Sequence, residues 1–266
     1  SSVLVSLALV PVTLAAAAKV PPSRPVDKVS IRELIGYVPT GVIGSFMSGA
    51  SAGVLLSLAA VYATRSGLSV DRTAAFLLAP TIGAIVLQWP IGRLSDRVSR
   101  RAVIFGVVIA AAALSVTASV VPPDSALMLL LMFGIGGTMF PLYSLVVSYT
   151  LDWTPAEKTV GAAGTLVRIN GSGALLGPLV AAPLMSWFGD DAFFFTMSGW
   201  FLVIIVFAAY RIAFNDALPR ERQTKFVPFP ARASNVAIRL VNLPVKATKI
   251  VGRSVVSRRH EHEDRL

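Results

Sequence analysis

The sequence predicts an all-α polytopic membrane protein, with six membrane-spanning helices, a shorter apolar helix ahead of them and a basic tail behind. Three observations predict it. Of 266 residues, 55% are hydrophobic and only 14% charged, and mean hydropathy is +0.71; a soluble domain carries about 25% charged residues to cover its surface. The apolar residues are gathered into runs that reach the roughly 20 residues a helix needs to cross a bilayer. The net charge of +10 falls between and after those runs rather than on an amphipathic surface. That is the distribution of membrane topology, not of nucleic-acid binding, which is not expected. A water-soluble enzyme, a disordered chain and a disulfide-built secreted domain are thereby excluded. There is no cysteine, and the two histidines, His260 and His262, stand at the C-terminal end. The apolar body therefore has no thiolate metal site and no histidine-based catalytic site; no catalytic residue, metal or cofactor is assigned.

The elements follow in chain order. Residues 3–18 are apolar but short, and 1–18 reads as a truncated transmembrane helix. No basic segment precedes it, as a signal peptide would require, so the chain is expected to be a fragment whose upstream part is missing. Residues 19–33 form a charged linker, extended because of Pro21, Pro22 and Pro25. The six spans fall at 34–64, 73–92, 102–121, 125–151, 159–189 and 192–210, together a bundle over 34–210. Short polar turns separate them, among them Pro122, Pro123 and Asp124, and Gly189, Asp190 and Asp191. These turns are too short for domain boundaries.

Charge fixes the orientation. Lys19, Arg24, Lys28 and Arg32 precede the first full span; Arg93, Arg97, Arg100 and Arg101 cluster two spans later; Lys158 marks the next break on that side. The other side has Arg65 and Arg72 against Asp71, Asp124, Asp190 and Asp191. The positive-inside rule puts the linker, the arginine cluster and the tail in the cytoplasm, in a plasma or inner membrane, and six crossings agree in parity.

Between the second and third spans runs Gly92, Arg93, Leu94, Ser95, Asp96, Arg97, Val98, Ser99, Arg100, Arg101. This resembles the cytoplasmic signature of the major facilitator superfamily: Gly, three residues, Asp, a basic residue, any residue, Gly, then two basic residues. Ser99 stands where the family has its second Gly. The resemblance implies a cytoplasmic latch made by Gly92, Asp96, Arg97, Arg100 and Arg101. Asp96 would pair with Arg97 or Arg100, or accept from another helix N-terminus, where negative charge is favoured. Family members have two related six-helix halves. On that match the chain is the end of helix six, the central loop and helices seven to twelve, and the missing N-terminal half is a partner. The implied activity is secondary transport of a small solute by alternating access, without enzymatic chemistry. A membrane scaffold or sensor with a basic tail, and the permease subunit of a primary pump, are the alternatives.

Small residues let membrane helices approach closely. Gly41, Ser45, Gly49 and Gly53 make one stripe on the first span; Gly173 and Gly177, followed by Pro178, do so on the fifth. These are packing or hinge positions. Arg168 is the most informative residue inside the bilayer, about nine residues into its helix; an intramembrane arginine marks a functional site by default. With Thr165 and Ser172 it forms a polar stripe expected to face the substrate pathway and meet an anionic group. An ion pair with Asp152 is the competing reading. Asn170 (pointing elsewhere, toward a neighbouring helix), Gln88 and Tyr143 are weaker pathway candidates. The tail, 211–266, is basic: from 215 onward it has eleven Lys and Arg against five acids. It suits the anionic lipids of the cytoplasmic leaflet.

Overall fold

The computed structural model describes residues 29–214. The expected truncated helix, most of the linker and the basic tail lie outside the described residues. Within them the chain forms α1 (Ile31–Tyr37), α2 (Pro39–Arg65), α3 (Val70–Arg97), α4 (Arg100–Ala118), α5 (Ala126–Asp152), a 3-10 turn at Ala156–Lys158, α6 (Thr159–Phe188) and α7 (Ala192–Phe214). Six of these are long and apolar enough to cross a membrane. The described residues contain no strand.

The boundaries follow local chemistry. The first predicted span, 34–64, is two helices. Pro39 lacks a backbone N–H and pushes its predecessor out of the helical region, and Val38 sits at φ −147°, ψ 80°. The last residues of the expected linker are thus helical: Ser30 caps α1 by accepting from the Glu33 amide at 3.1 Å. Ser69 caps α3 in the same way, accepting from the Arg72 amide at 3.4 Å, so Asp71 and Arg72 belong to the helix rather than to the turn. That turn uses Gly67 at φ 72°, where a side chain would be strained.

The helices run alternately between two ends. One end, here called the basic end, carries Arg93, Arg97, Arg100, Arg101 and Lys158; the other carries Arg65, Asp71, Asp190 and Asp191. α2 packs most extensively on α6 and also along α7, α3 lies along α5, and α4 is lodged between α5 and α7.

Two of these pairings are backbone contacts. A Cβ at Gly49 would land on the Asn170 carbonyl, and one at Gly53 on the Ala174 carbonyl; from the other side, Gly173 faces the Phe46 carbonyl and Gly177 that of Ala50. The stripes on α2 and α6 are therefore the two halves of one seam. Gly41 belongs to a different contact, against the Thr150 side chain of α5. A second seam joins α3 and α5, with Gly83 against the Phe133 carbonyl and Gly136 against Pro80. In an apolar solvent no hydrophobic gain drives helices together, so such close approach supplies dispersion contact instead.

Several buried hydroxyls cost little because they return their proton to their own helix. Ser51, Ser115, Thr138, Thr150 and Thr196 all donate to the carbonyl four residues back. At the end away from the arginines, Tyr62 of α2 stacks on Phe76 and Phe193 with ring centroids 5.6 and 5.2 Å apart, and meets Phe194 edge-on at 5.0 Å. Phe193 and Phe194 are thus core residues, and Phe195 is exposed.

Gly49→Val and Gly173→Val should destabilise the bundle by at least the 1–3 kcal/mol usual for overpacking. Gly106→Ala, whose Cβ would meet nothing within 4 Å, should melt within a few degrees of wild type. Thermal unfolding of the detergent-solubilised protein, followed by size exclusion, measures both.

Candidate functional site

Gly92, Arg93, Leu94, Ser95, Asp96 and Arg97 are not a loop. They form the last turns of α3, and only Val98 and Ser99 link it to α4. Gly92 and Ser95 are buried; Asp96 and Arg97 are exposed. Arg100, expected to serve Asp96, is wholly buried and forms an ion pair with Asp152 at the end of α5. Its Nε also donates to Ser95 Oγ at 3.3 Å. One guanidinium therefore ties together the ends of α3, α4 and α5. Next to it, Arg101 Nε donates to the Tyr149 hydroxyl at 3.3 Å. Arg93 lies over the exposed ring of Trp89, 5.2 Å from its centroid. A buried ion pair adds little net stability over an apolar pair, but removing one partner leaves an uncompensated charge.

The sequence offered Asp152 to Arg168, and the structure gives it to Arg100. Arg168 Nη2 instead donates to Thr165 Oγ1, one turn earlier on α6, at 3.0 Å. The polar stripe splits between two faces. Thr165 and Asn170 are buried; Arg168 and Ser172 are exposed. Asn170 Nδ2 donates to the Ser45 carbonyl at 3.0 Å, so it belongs to the α2–α6 seam, away from the Arg168 face. Ser45 Oγ, also buried there, has no hydrogen-bond partner. Ser172 donates to its own helix at Ile169, 2.7 Å away. Arg168, Gly171, Ser172, Leu175 and Leu179 form one uncovered face of α6, and a Cβ at Gly164 or Gly171 would meet nothing within 4 Å. Pro178 is half-buried within α6. Gln88 is half-buried on α3. Tyr143 is buried beneath α1, in a cluster with Val29, Leu34, Val147, Ala162, Leu166 and Ile169.

α1 is a feature the sequence reading folded into the first span. Glu33 forms an ion pair with Lys158, beside the 3-10 turn, and accepts from the Tyr37 hydroxyl at 3.2 Å. The hydrogen bond from Lys158 holds the Glu33 carboxyl below its usual range. A depressed carboxylate contributes stability above its unfolded value and loses it as pH falls through the folded one. The signal for this element was Pro39, preceded by Ser30 and Glu33 in a capping spacing.

Six helices long and apolar enough to cross a membrane, with a Gly–Asp–Arg end on one of them, define a polytopic membrane protein. The sequence model of the Major Facilitator Superfamily matches residues 41–258, and the chain belongs to that family. Among curated proteins it is 28% identical over 158 residues to the uncharacterized MFS-type transporter YcaD of Escherichia fergusonii, covering 58% of this chain and 39% of that protein. An uncharacterized MFS-type transporter of Yersinia enterocolitica is 27% identical over 171 residues, covering 62% and 42%. The chain thus spans about two fifths of the length of these relatives. Among solved structures, the Escherichia coli fucose:proton symporter FucP shares the fold with a TM-score of 0.57 at 15% identity, covering 79% of this chain and 54% of that one.

Arg100→Ala and Asp152→Ala should each cost about 3–5 kcal/mol, and the double variant should cost less than their sum. A double-mutant cycle of thermal unfolding reads this out. Acidification below the ordinary carboxylate range should loosen α1 first, and Glu33→Gln should abolish that step; hydrogen exchange at residues 31–37 against pH is the measurement.

Proposed function

We propose that the chain is the second half of a secondary active transporter that moves a small solute bearing an anionic group by alternating access. The basic end lies in the cytoplasm, and Arg168 provides the anion contact. The observation that carries this reading is the placement of Arg168. It is the only charged residue of α6 beyond Lys158, about 14 Å along the helix from the basic end at 1.5 Å per residue. It stands on a face that no described helix covers. A guanidinium on an uncovered face within the span needs water, a carboxylate or a substrate anion opposite it. In a two-half transporter that face borders the pathway, near the midplane where such sites lie. Membership of a transporter family supports the class of activity, and the coverage of about two fifths of each curated relative supports a further bundle.

Arg93, Arg97 and Asp96 gather on the exposed end of α3, and a second half would meet them there. A contact made in only one conformation biases the open–closed equilibrium, which is the role proposed for Asp96 as a latch. Gly92 and Arg97 set its approach, and the Arg100–Asp152 pair holds the helix end rigid beneath it.

In proteoliposomes of the intact protein, Arg168→Ala should reduce uptake of anionic solutes while leaving expression unchanged. Loss of one charged hydrogen bond is worth about 2 kcal/mol, hence roughly thirtyfold. Arg168→Lys should retain part of the flux, because the charge survives and the planar fork does not. Unchanged flux in both variants would overturn the assignment. The half-protein reading is checked by the native mass in its source membrane: a band near twice 28.1 kDa is expected, and a band at that mass would require a dimer.

A further inference from the structure

We propose that residues 29–37 act as a strap over the basic end of the α2–α5–α6 wedge, and that Thr165 couples this strap to Arg168. The coupling lies in one hydroxyl. Thr165 Oγ1 donates its single proton to the Val29 carbonyl at 2.7 Å, across 136 residues of sequence, and accepts from Arg168 Nη2 at 3.0 Å. Ser51, Ser115, Thr138, Thr150 and Thr196 spend their proton on their own helix; Thr165 spends it on the strap. An acceptor bond from a guanidinium polarises the O–H and strengthens the bond it donates. Thr165 is 1% exposed, so water does not reach the bond it donates to Val29.

The rest of the strap is held lightly and at separate points. Val29 and Leu34 insert among Tyr143, Val147, Ala162, Leu166 and Ile169. Glu33 and Tyr37 meet Lys158, whose ammonium lies 5.9 Å from the centre of the Tyr37 ring. The outer face, with Ile31 52% and Ile35 47% exposed, is covered by none of the described residues. Seven residues are too few for a helix to persist without docking. Val38, extended ahead of Pro39, divides α1 from the continuous ladder of α2, so α1 undocks without unwinding the span behind it.

This arrangement makes strap docking and the partner of Arg168 linked quantities. An anion that draws the guanidinium off Thr165 removes the donor that polarises its hydroxyl, and the Val29 contact weakens. By reciprocity, a released strap frees Arg168 to engage an anion. The strap then opens the basic end when the arginine is occupied and closes it when it is not. Thr165 is a positioning residue, acting through Arg168 and the strap. What the strap gates rests on the transport reading; its docking does not, and the experiment is run without solute so that the two can fail separately.

These 266 residues contain no cysteine, so in an intact protein whose remaining part is also made cysteine-free, one introduced thiol is the only one labelled. In membranes holding the intact protein, Leu34→Cys, at a wholly buried site, should react with a water-soluble maleimide at least tenfold more slowly than Ile31→Cys on the exposed face of the same helix. Adding Thr165→Val or Arg168→Ala should raise the Leu34→Cys rate severalfold, and Thr165→Ser, which keeps the hydroxyl, should not. Hydrogen exchange of residues 29–37 with Leu34 intact should follow the same order, which guards against undocking by the cysteine itself. Equal labelling of the two thiols with fast exchange of 29–37 would overturn the strap. Exchange and labelling that ignore both Thr165→Val and Arg168→Ala, or that treat Thr165→Ser like Thr165→Val, would overturn the coupling.

Discussion

The contact that positions the candidate site is the seam in which Gly49 and Gly53 of α2 receive the backbone of α6, while Gly173 and Gly177 receive that of α2. Everything that concerns function depends on it. With no Cβ on either side, the two helices approach until each glycine meets a carbonyl, and the rotation of α6 about its own axis is fixed. Asn170 locks the same rotation by donating to the Ser45 carbonyl. Once that face is committed inward, helical periodicity leaves no freedom for the others. Arg168 and Ser172 must face out, and Thr165 must face the basic-end wedge. Position 168 is therefore turned outward by geometry, which is what the role proposed for it requires.

The two ends of the bundle are organised differently, and the difference matches what each has to do. At the end opposite the basic one, Tyr62, Phe76, Phe193 and Phe194 make a buried aromatic cluster of stacked and edge-on rings, and Arg65 pairs with Asp190 at 3.4 Å on the exposed surface. At the basic end the ties are few, directional and charged: Arg100 to Asp152, Glu33 to Lys158, Thr165 between Arg168 and Val29. In the proposed mechanism this is the end at which a small number of bonds separates two arrangements, with α1 as the moving element and the α3–α4 hairpin, held by Arg100, as the fixed one.

Much of this was legible in the sequence because membrane insertion imposes coarse, one-dimensional rules. Span number, turn positions and the small-residue stripes follow from apolar run length, charge placement and a four-residue spacing, none of which needs tertiary information. The errors fell where a pairwise contact decides. Asp152 reads as a lone carboxylate near a lone arginine, and nothing local says that Arg100, 52 residues away, reaches it first. Asn170 reads as a pathway residue because its side chain is polar, yet a polar side chain in lipid satisfies itself on whatever carbonyl the packing presents. The missed helix α1 is different in kind. Pro39 signalled the break and Ser30 with Glu33 signalled the cap, but the uninterrupted run of uncharged residues from 34 onward outweighed both.

The account stands or falls on whether the outward face of α6 borders water or lipid. The direct measurement is the reaction of a water-soluble thiol reagent with Ser172→Cys in the membrane-embedded intact protein, next to Leu202→Cys on the exposed surface of α7. If the α6 face lines a pathway, the first thiol reacts readily and the second, in lipid, does not. If both stay unreactive, Arg168 faces the bilayer or a dry helix contact, and its assignment to solute recognition is contradicted.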